Sequence, residues 1–600
     1  MKNKFAMKVA GHENLFIAVF CVSIISILNP ALGTISSLLY LFWLRRELMP
    51  VFISFLTFGS LFFILDQFLL WRISHVFSNI LLVVIAIYFS PFQNMGSQRK
   101  ARFKFTLVLI WILAVVSFVT LLRGKTYVLN SLLSGYDNVG HFSMMKTISE
   151  CQGYLSKCEL TGFATPDGYR FYPQFFHYVF SPFISALGEQ HQLSTYFAIS
   201  MAIYLCTLNF AFKALGSLNE KFILPSKAMY NKKGRRKKAL QNPQKISNGG
   251  KITGPIFQVM VLLLVTYIHS LGYLNFEFVI LCLLAWVLIF KHISGEKDFL
   301  YVFLLYSATS SIYPLVLPPN LLLMCFFIFQ ARSQVSKTFL IIYSTAVLLF
   351  SALVISRNME TNAQYIATDG GNIILIIFIV AILIASVWDL TNLGKPLEKQ
   401  WWNFEPIIFT LVIYSLYSLS LFVFNISSGQ RMGYYTQKMC LIAILFSIPQ
   451  LIHFIAKYNY LENIREHLGR KIAIWLMGMV GLIGWSIIPY INAAQQQLAI
   501  LYNPMIYLSK IATFDESKSI QSERILEVVE FKPEINTPLL IRSVTGPQDT
   551  IWANALRSSW STDLESSLQK GVLNLNDPKP PILGSKQEGF EVSIWNQGVR

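Results

Sequence analysis

The stretch EPIIFTLVIYSLYSLSLFVF, residues 405–424, is apolar almost from end to end, with its one charge at Glu405. Its length matches the ~20 residues a helix needs to cross a bilayer. Inside hydrocarbon only a helix or a closed barrel satisfies every backbone N–H and C=O. Comparable runs recur between Asn14 and Asn492. They predict spans near 14–28, 31–43, 50–68, 72–91, 105–123, 194–215, 255–273, 276–291, 299–314, 315–331, 338–356, 372–390, 405–424, 435–456 and 472–491, about fifteen in all. Hydrophobic residues make up 54% of the 600 and charged ones only 13%. A soluble protein of that composition has too little polar surface to cover itself. The expected fold class is therefore an all-α polytopic membrane protein. The first apolar run lacks a small-residue cleavage site and is expected to remain as a span. No internal repeat is evident, which weighs against inverted-repeat transporters.

The formal net charge of +18 raises the question of nucleic acid, and its distribution answers it. Lys and Arg crowd onto alternate loops, as at 99–102 and in 221–251, which holds KKGRRKK at 232–238. That asymmetry is the positive-inside rule. It predicts a cytoplasmic N-terminus, an extracytoplasmic loop at 124–193 and an extracytoplasmic tail after Asn492. The basicity serves topology, and no nucleic-acid partner is expected. The predicted organisation is N-terminal spans over 1–123, an external catalytic loop over 124–193, a membrane core over 194–491 and a soluble C-terminal domain over 492–600. Within that last part PLLIRSV (538–544) and FEVSIW (590–595) read as strands and SERILEVVEF (522–531) as a helix, a small α+β appendage. Of the seven cysteines, Cys151 and Cys158 share the external loop. A disulfide suits that compartment, with two free thiols as the alternative.

Chemistry-bearing residues gather in that loop, in GYDNVGHFSMMKTI (135–148) and GYRFYPQFFHYVFSPF (168–183). Asp137 and His141, four apart, share one helix face. Asp137 precedes Val139, Phe142, Met145 and Ile148 at helical spacing. It reads either as an N-cap or as a general base for an acceptor hydroxyl. His141 orients Asp137, holds a substrate phosphate, or sits at the interface with its polar tip in water. Two such ligands without a third do not make a metal site. Tyr172-Pro173 reads as an extended lead into a second helix with His177 one turn on, its aromatics anchoring the membrane interface.

A second constellation, Arg431, Tyr434, Tyr435 and Lys438, lies where the span 435–456 begins. A cation one turn inside a span snorkels or has a partner. Beside the free N–H groups of a helix N-terminus, Arg431 and Lys438 suit a phosphate. Glu277, at the tip of the hairpin 275–277, reads as a turn residue in water and a weaker candidate.

The pattern Asp137-x-x-x-His141, Tyr172-Pro173-x-x-x-His177 and Tyr434-Tyr435-x-x-Lys438 resembles the polytopic GT-C glycosyltransferases, and within them the arabinofuranosyl- and mannosyl-transferase branches. The resemblance covers about residues 105–460. Four spans precede the acidic-loop unit here, and Asp137-Asn138 stands where many members carry paired acids. The resemblance implies a polyprenyl-phosphate-linked sugar donor, a glycan, lipid or protein acceptor, and inverting transfer in the cytoplasmic membrane. It implies Asp137 as base, Arg431 and Lys438 on the leaving phosphate, and Tyr172, His141, His177, Tyr434 and Tyr435 around the substrates. No cofactor is required by these residues, though the resemblance admits a divalent cation, Mg or Mn. The alternatives are a lipid-linked glycan flippase or transporter, which needs polar residues lining a path through several spans, and an O-antigen polymerase or ligase.

Overall fold

A computed structural model of the protein describes residues 20–88, 104–154, 173–223, 243–290, 295–366, 374–392 and 406–460, excepting 46–47, 67, 134, 136 and 430–432. Beyond these it describes 525–526, 539–543, 552, 582–587 and 590–594. Seventeen helices follow in chain order: α1 (20–28), α2 (Pro30–Arg45), α3 (Leu48–Leu65), α4 (Trp71–Tyr88), α5 (Lys104–Leu122), α6 (Lys125–Leu132), α7 (Asn138–Cys151), α8 (Phe175–Ile184), α9 (Gln192–Ile223), α10 (Pro243–Ser270), α11 (Leu274–Phe290), α12 (Glu296–Ile312), α13 (Leu317–Ala331), α14 (Lys337–Ile366), α15 (Ile374–Asn392), α16 (Pro406–Ser427) and α17 (Tyr434–Tyr460). Among the described residues six helices are long and apolar enough to cross a membrane, in α3, α9, α13, α14, α16 and α17, and six more apolar helices are shorter. The chain is a helical, multi-pass membrane protein.

Which helices sit at the centre follows from their sequences. A helix apolar on every side is buried on every side, and in α11 all residues but Leu288 are buried. In α17, Met439 to Ala443 are likewise fully buried. By contrast α14 leaves Ile341, Ile342, Leu348, Leu349 and Leu353 exposed, a face suited to lipid chains. The helix breaks are legible too. Pro314 enters a short 3-10 turn (Pro314–Val316) that separates α12 from α13, because Pro removes an N–H and clashes with the preceding turn.

Some expected boundaries move. The turn placed at 357–371 is helical as far as Ile366, and α9 and α10 run into the basic segment from both sides, to Ile223 and from Pro243. The last predicted span (472–491) lies outside the described residues, as do KKGRRKK and most of the helix predicted at 522–531. The two predicted strands exist: β1 (Leu539–Ser543) pairs antiparallel with β3 (Phe590–Ile594), Leu539 opposite Ile594. A strand the sequence reading missed, β2 (Ile582–Gln587), completes a sheet of order β1-β3-β2.

The aromatics of α8 correct one expectation. They are not interface anchors: every residue from Phe175 to Ile184 is buried. Phe180 packs on Phe55 of α3 and Phe278 of α11 at ring-centroid distances of 5.1 and 5.5 Å. α8 is a structural wedge between the N-terminal helices and the core. Cys151, at the end of α7, is disulfide-bonded; Cys158, its expected partner, lies outside the described residues. Trp552 of the tail is 2% exposed and stacks on Phe142 of α7 at 6.0 Å, so the C-terminal part rests on the helix that follows Asp137.

Candidate functional site

Asp137 occupies the N-cap position of α7 but makes no side-chain capping hydrogen bond. Its carboxylate turns instead to α17, the start of the second constellation. Tyr434 donates its hydroxyl proton to Asp137 Oδ2, and Lys438 Nζ stands 3.7 Å from the same oxygen. Residues about three hundred positions apart in the chain thus form one acid–ammonium–phenol cluster. The Lys438 side chain is 4% exposed and that of Asp137 24%. The ammonium is therefore the enclosed partner, and the carboxylate has a face toward solvent. At 3.7 Å the pair lacks a direct hydrogen bond, so the N–H groups of Lys438 remain able to serve another acceptor.

What makes a buried ammonium tolerable is a ring cage. Nζ lies 4.1 Å from the Tyr273 ring centroid, 4.3 Å from Tyr434 and 5.4 Å from Tyr313. Phe276 and Tyr435 stand at 5.9 and 5.8 Å. The negative faces of aromatic rings attract a cation, the more so when it is desolvated. Tyr273 and Tyr313 escaped the sequence reading. Each ends a turn at the same end of the bundle, in Gly272-Tyr273 and Tyr313-Pro314, and only their shared neighbour Lys438 reveals them.

The loop before Asp137 is held by backbone contact. Gly272, at φ +74°, faces Gly135, and a Cβ on Gly272 would sit 3.0 Å from the Gly135 carbonyl carbon. Asn138, the residue where acid-paired relatives would carry a second carboxylate, is a structural anchor: Nδ2 donates to the Leu132 carbonyl and Oδ1 accepts from Tyr196. Gly272→Ala is accordingly expected to push the Asp137 loop away from α17. Positive φ and the close carbonyl together make a destabilisation of about 1–3 kcal/mol, to be read as a lowered midpoint in thermal unfolding. Gly140→Ala, with open space at its Cβ, serves as the control that leaves the midpoint alone.

The two histidines also meet. His141 Nδ1 and His177 Nε2 are 2.8 Å apart and hydrogen-bonded, their rings stacked at 5.1 Å. Both rings are buried, so His141 is not an interfacial residue with its tip in water. Burial, with Lys438 adding to it, lowers the His141 pKa from 6.5 to about 3. Burial and the neighbouring His141 lower that of His177, against an opposing pull from the Pro173 carbonyl. A neutral imidazole cannot hold a phosphate by charge, which removes that role. His141 Nε2 has no hydrogen-bond partner among the described residues and is left as the one polar atom of the pair that can address a ligand.

The sign of the pH effect follows. A histidine neutral when folded and titrating near 6.5 when unfolded contributes stability above pH ~6.5 that is lost as pH falls toward 3. Acidification from pH 7 to 5 is expected to weaken the α7–α8 pairing by on the order of 1–2 kcal/mol. Faster amide exchange in Phe175–Ile184 at pH 5, removed in His177→Phe, checks it.

Glu277 is a correction. It is not a turn residue in water: it lies in the first turn of α11, fully buried, with Oε2 2.7 Å from His269 Nδ1. His269 in turn stacks on Tyr204 at 4.6 Å. This pair lies behind Tyr273, on the elements that carry the cage. Tyr172 and Arg431 lie outside the described residues. Among the described residues no three His, Cys, Asp or Glu side chains come together as a metal site, and beside Asp137 the positive charge is that of Lys438.

Compared with protein-family models, characterised proteins and solved structures, the chain matches none.

Proposed function

We propose that the protein is a membrane glycosyltransferase of GT-C type, moving a sugar from a polyprenyl-phosphate donor to a glycan, lipid or protein acceptor. The observation that carries this reading is the meeting of Asp137 and Lys438 at 3.7 Å in a tyrosine-lined recess at one end of the bundle. Tyr434 and Lys438 both face Oδ2, leaving Oδ1 as the basic oxygen toward solvent. In the reaction Oδ1 takes the proton of the acceptor hydroxyl, the acceptor oxygen bonds to the anomeric carbon, and the bond from that carbon to the phosphate oxygen breaks. The electron pair leaves with the polyprenyl phosphate, where the Lys438 ammonium and the first N–H groups of α17 stabilise the added charge. The finer topology belongs to the same proposal: about fifteen spans, with the loop 124–193 and the tail on the extracytoplasmic side.

Glu277 and His269, buried inside the bundle, favour a transporter as the second reading, since intramembrane ionisable pairs mark transport paths. Purified protein in liposomes, supplied with radiolabelled polyprenyl-phosphate sugars and a short glycan acceptor, separates the two. Label found covalently on the acceptor is the outcome expected. Donor that crosses the bilayer unchanged, with no labelled acceptor, refutes transfer and establishes the transporter.

A further inference from the structure

A second polar cluster, remote in sequence from the first, is built into the N-terminal helices. Asn79 Nδ2 donates to the Pro30 carbonyl, an acceptor only, which fixes the orientation of its amide. Asn79 Oδ1 lies 2.7 Å from Thr34 Oγ1 and must therefore receive the single hydroxyl proton of Thr34. Thr34 Oγ1 is also 2.9 Å from His75 Nε2. With its proton already given to Asn79, that oxygen accepts, so Nε2 carries the hydrogen of a neutral His75 ring. His75 Nδ1 is then a bare lone pair. It is buried and has no hydrogen-bond partner among the described residues.

One turn earlier on α4, Trp71 Nε1 is a buried donor in the same condition. The two rings stand edge to face with centroids 5.8 Å apart, and both pack on Phe62, at 5.6 and 4.8 Å. A lone donor and a lone acceptor at that separation are complementary to one group. A hydroxyl oxygen accepts from Trp71 and donates to His75 with two bonds of ordinary length, about 2.9 Å each. No single carbonyl, ether or amine nitrogen lacking a hydrogen can serve both.

We infer that Trp71 and His75 form a receptor for one hydroxyl group, and that its bearer is a membrane amphiphile with a long-chain alcohol end. The lipid source follows from the position. Trp71 opens α4 directly after Phe68 and Leu70, which are 80% and 73% exposed, and Ile73 and Phe77 continue an exposed apolar strip along the helix. An acyl or isoprenoid chain lies on that strip while its terminal hydroxyl reaches between the two rings. An indole at a helix end is also the usual occupant of the membrane–water boundary, where such headgroups reside. The site is independent of the transfer reaction and uses none of its residues.

The test uses the full-length protein in detergent and dodecanol carrying a photoreactive diazirine on its chain, beside the corresponding methyl ether. The ether still accepts from Trp71 but has no hydrogen for His75. Crosslinks from the alcohol are expected within residues 66–78, about five- to tenfold above those from the ether, the worth of one buried hydrogen bond. Excess unlabelled dodecanol should displace them and excess unlabelled ether should not. Trp71→Phe keeps a ring against Phe62 and removes only the donor, and it should reduce alcohol labelling to the ether's level. The competition experiment needs no variant, so it stands even where Trp71→Phe fails to fold. Equal labelling by alcohol and ether means that water or nothing occupies the position and overturns the inference, as does wild-type labelling in a well-folded Trp71→Phe.

Discussion

Asp137→Asn is expected to fold, to bind the donor, and to lose sugar transfer by about 10²–10⁴-fold, the usual contribution of a general base. The amide keeps the size of the carboxylate and an oxygen that can still accept from Tyr434. What it cannot do is take a proton from an acceptor hydroxyl. The substitution also leaves Lys438 enclosed without its counter-charge, and breaking a buried pair costs about 3–5 kcal/mol when nothing compensates. Here the five rings around Nζ compensate in part. The double variant Asp137→Asn/Lys438→Met removes both charges together and is expected to unfold at or above the wild-type temperature while remaining inactive. Initial rates of transfer at matched expression, with donor binding measured separately, decide the matter. Wild-type turnover in a folded Asp137→Asn protein removes the base from Asp137.

Lys438→Met is the second large effect. Methionine keeps the unbranched stem within the tyrosine cage and deletes only the ammonium. The pair is asymmetric: the enclosed partner is lost, and the one left behind can be hydrated, because Asp137 is 24% exposed and Lys438 only 4%. The fold should therefore tolerate the change. A charge-assisted hydrogen bond to a phosphate contributes about 1.5–3 kcal/mol, so donor affinity and turnover should each fall about 10- to 150-fold. Lys438→Arg sharpens the test. Its larger planar head does not fit the space between Tyr273 and Tyr434, and it should recover little. A lysine that merely snorkels predicts the opposite, an unchanged rate and a stabilised α17. Equilibrium binding of polyprenyl phosphate without the sugar isolates the leaving-group contact from the rest of the donor.

Much of the architecture could be read directly from composition and periodicity. The apolar runs predicted the helices, and Pro314 the break between α12 and α13, because burial of backbone polar groups in lipid permits few structures. The pairing of 538–544 with 590–595 region strands was anticipated as strands, though not as partners. Asp137, His141, His177, Tyr434 and Lys438 were each conspicuous locally, as polar residues at the ends of apolar segments. Their chemistry was not. Asp137 read equally well as a helix cap, and only the placement of α17 against the α7 N-terminus shows its carboxylate turned away from the backbone. Glu277 was misread because a charged residue near a predicted turn is ordinarily solvated. Its burial depends on His269 arriving from the preceding helix. Tyr273 and Tyr313 carry no local signal, since a tyrosine at a membrane helix end is commonplace. Which rings surround a cation is set by how α10 to α13 and α17 converge, a contact between positions far apart in sequence. Helix identity is local and follows from the hydrophobicity of a short run, whereas a site is a crossing of several chains of contacts and exists only once they are packed.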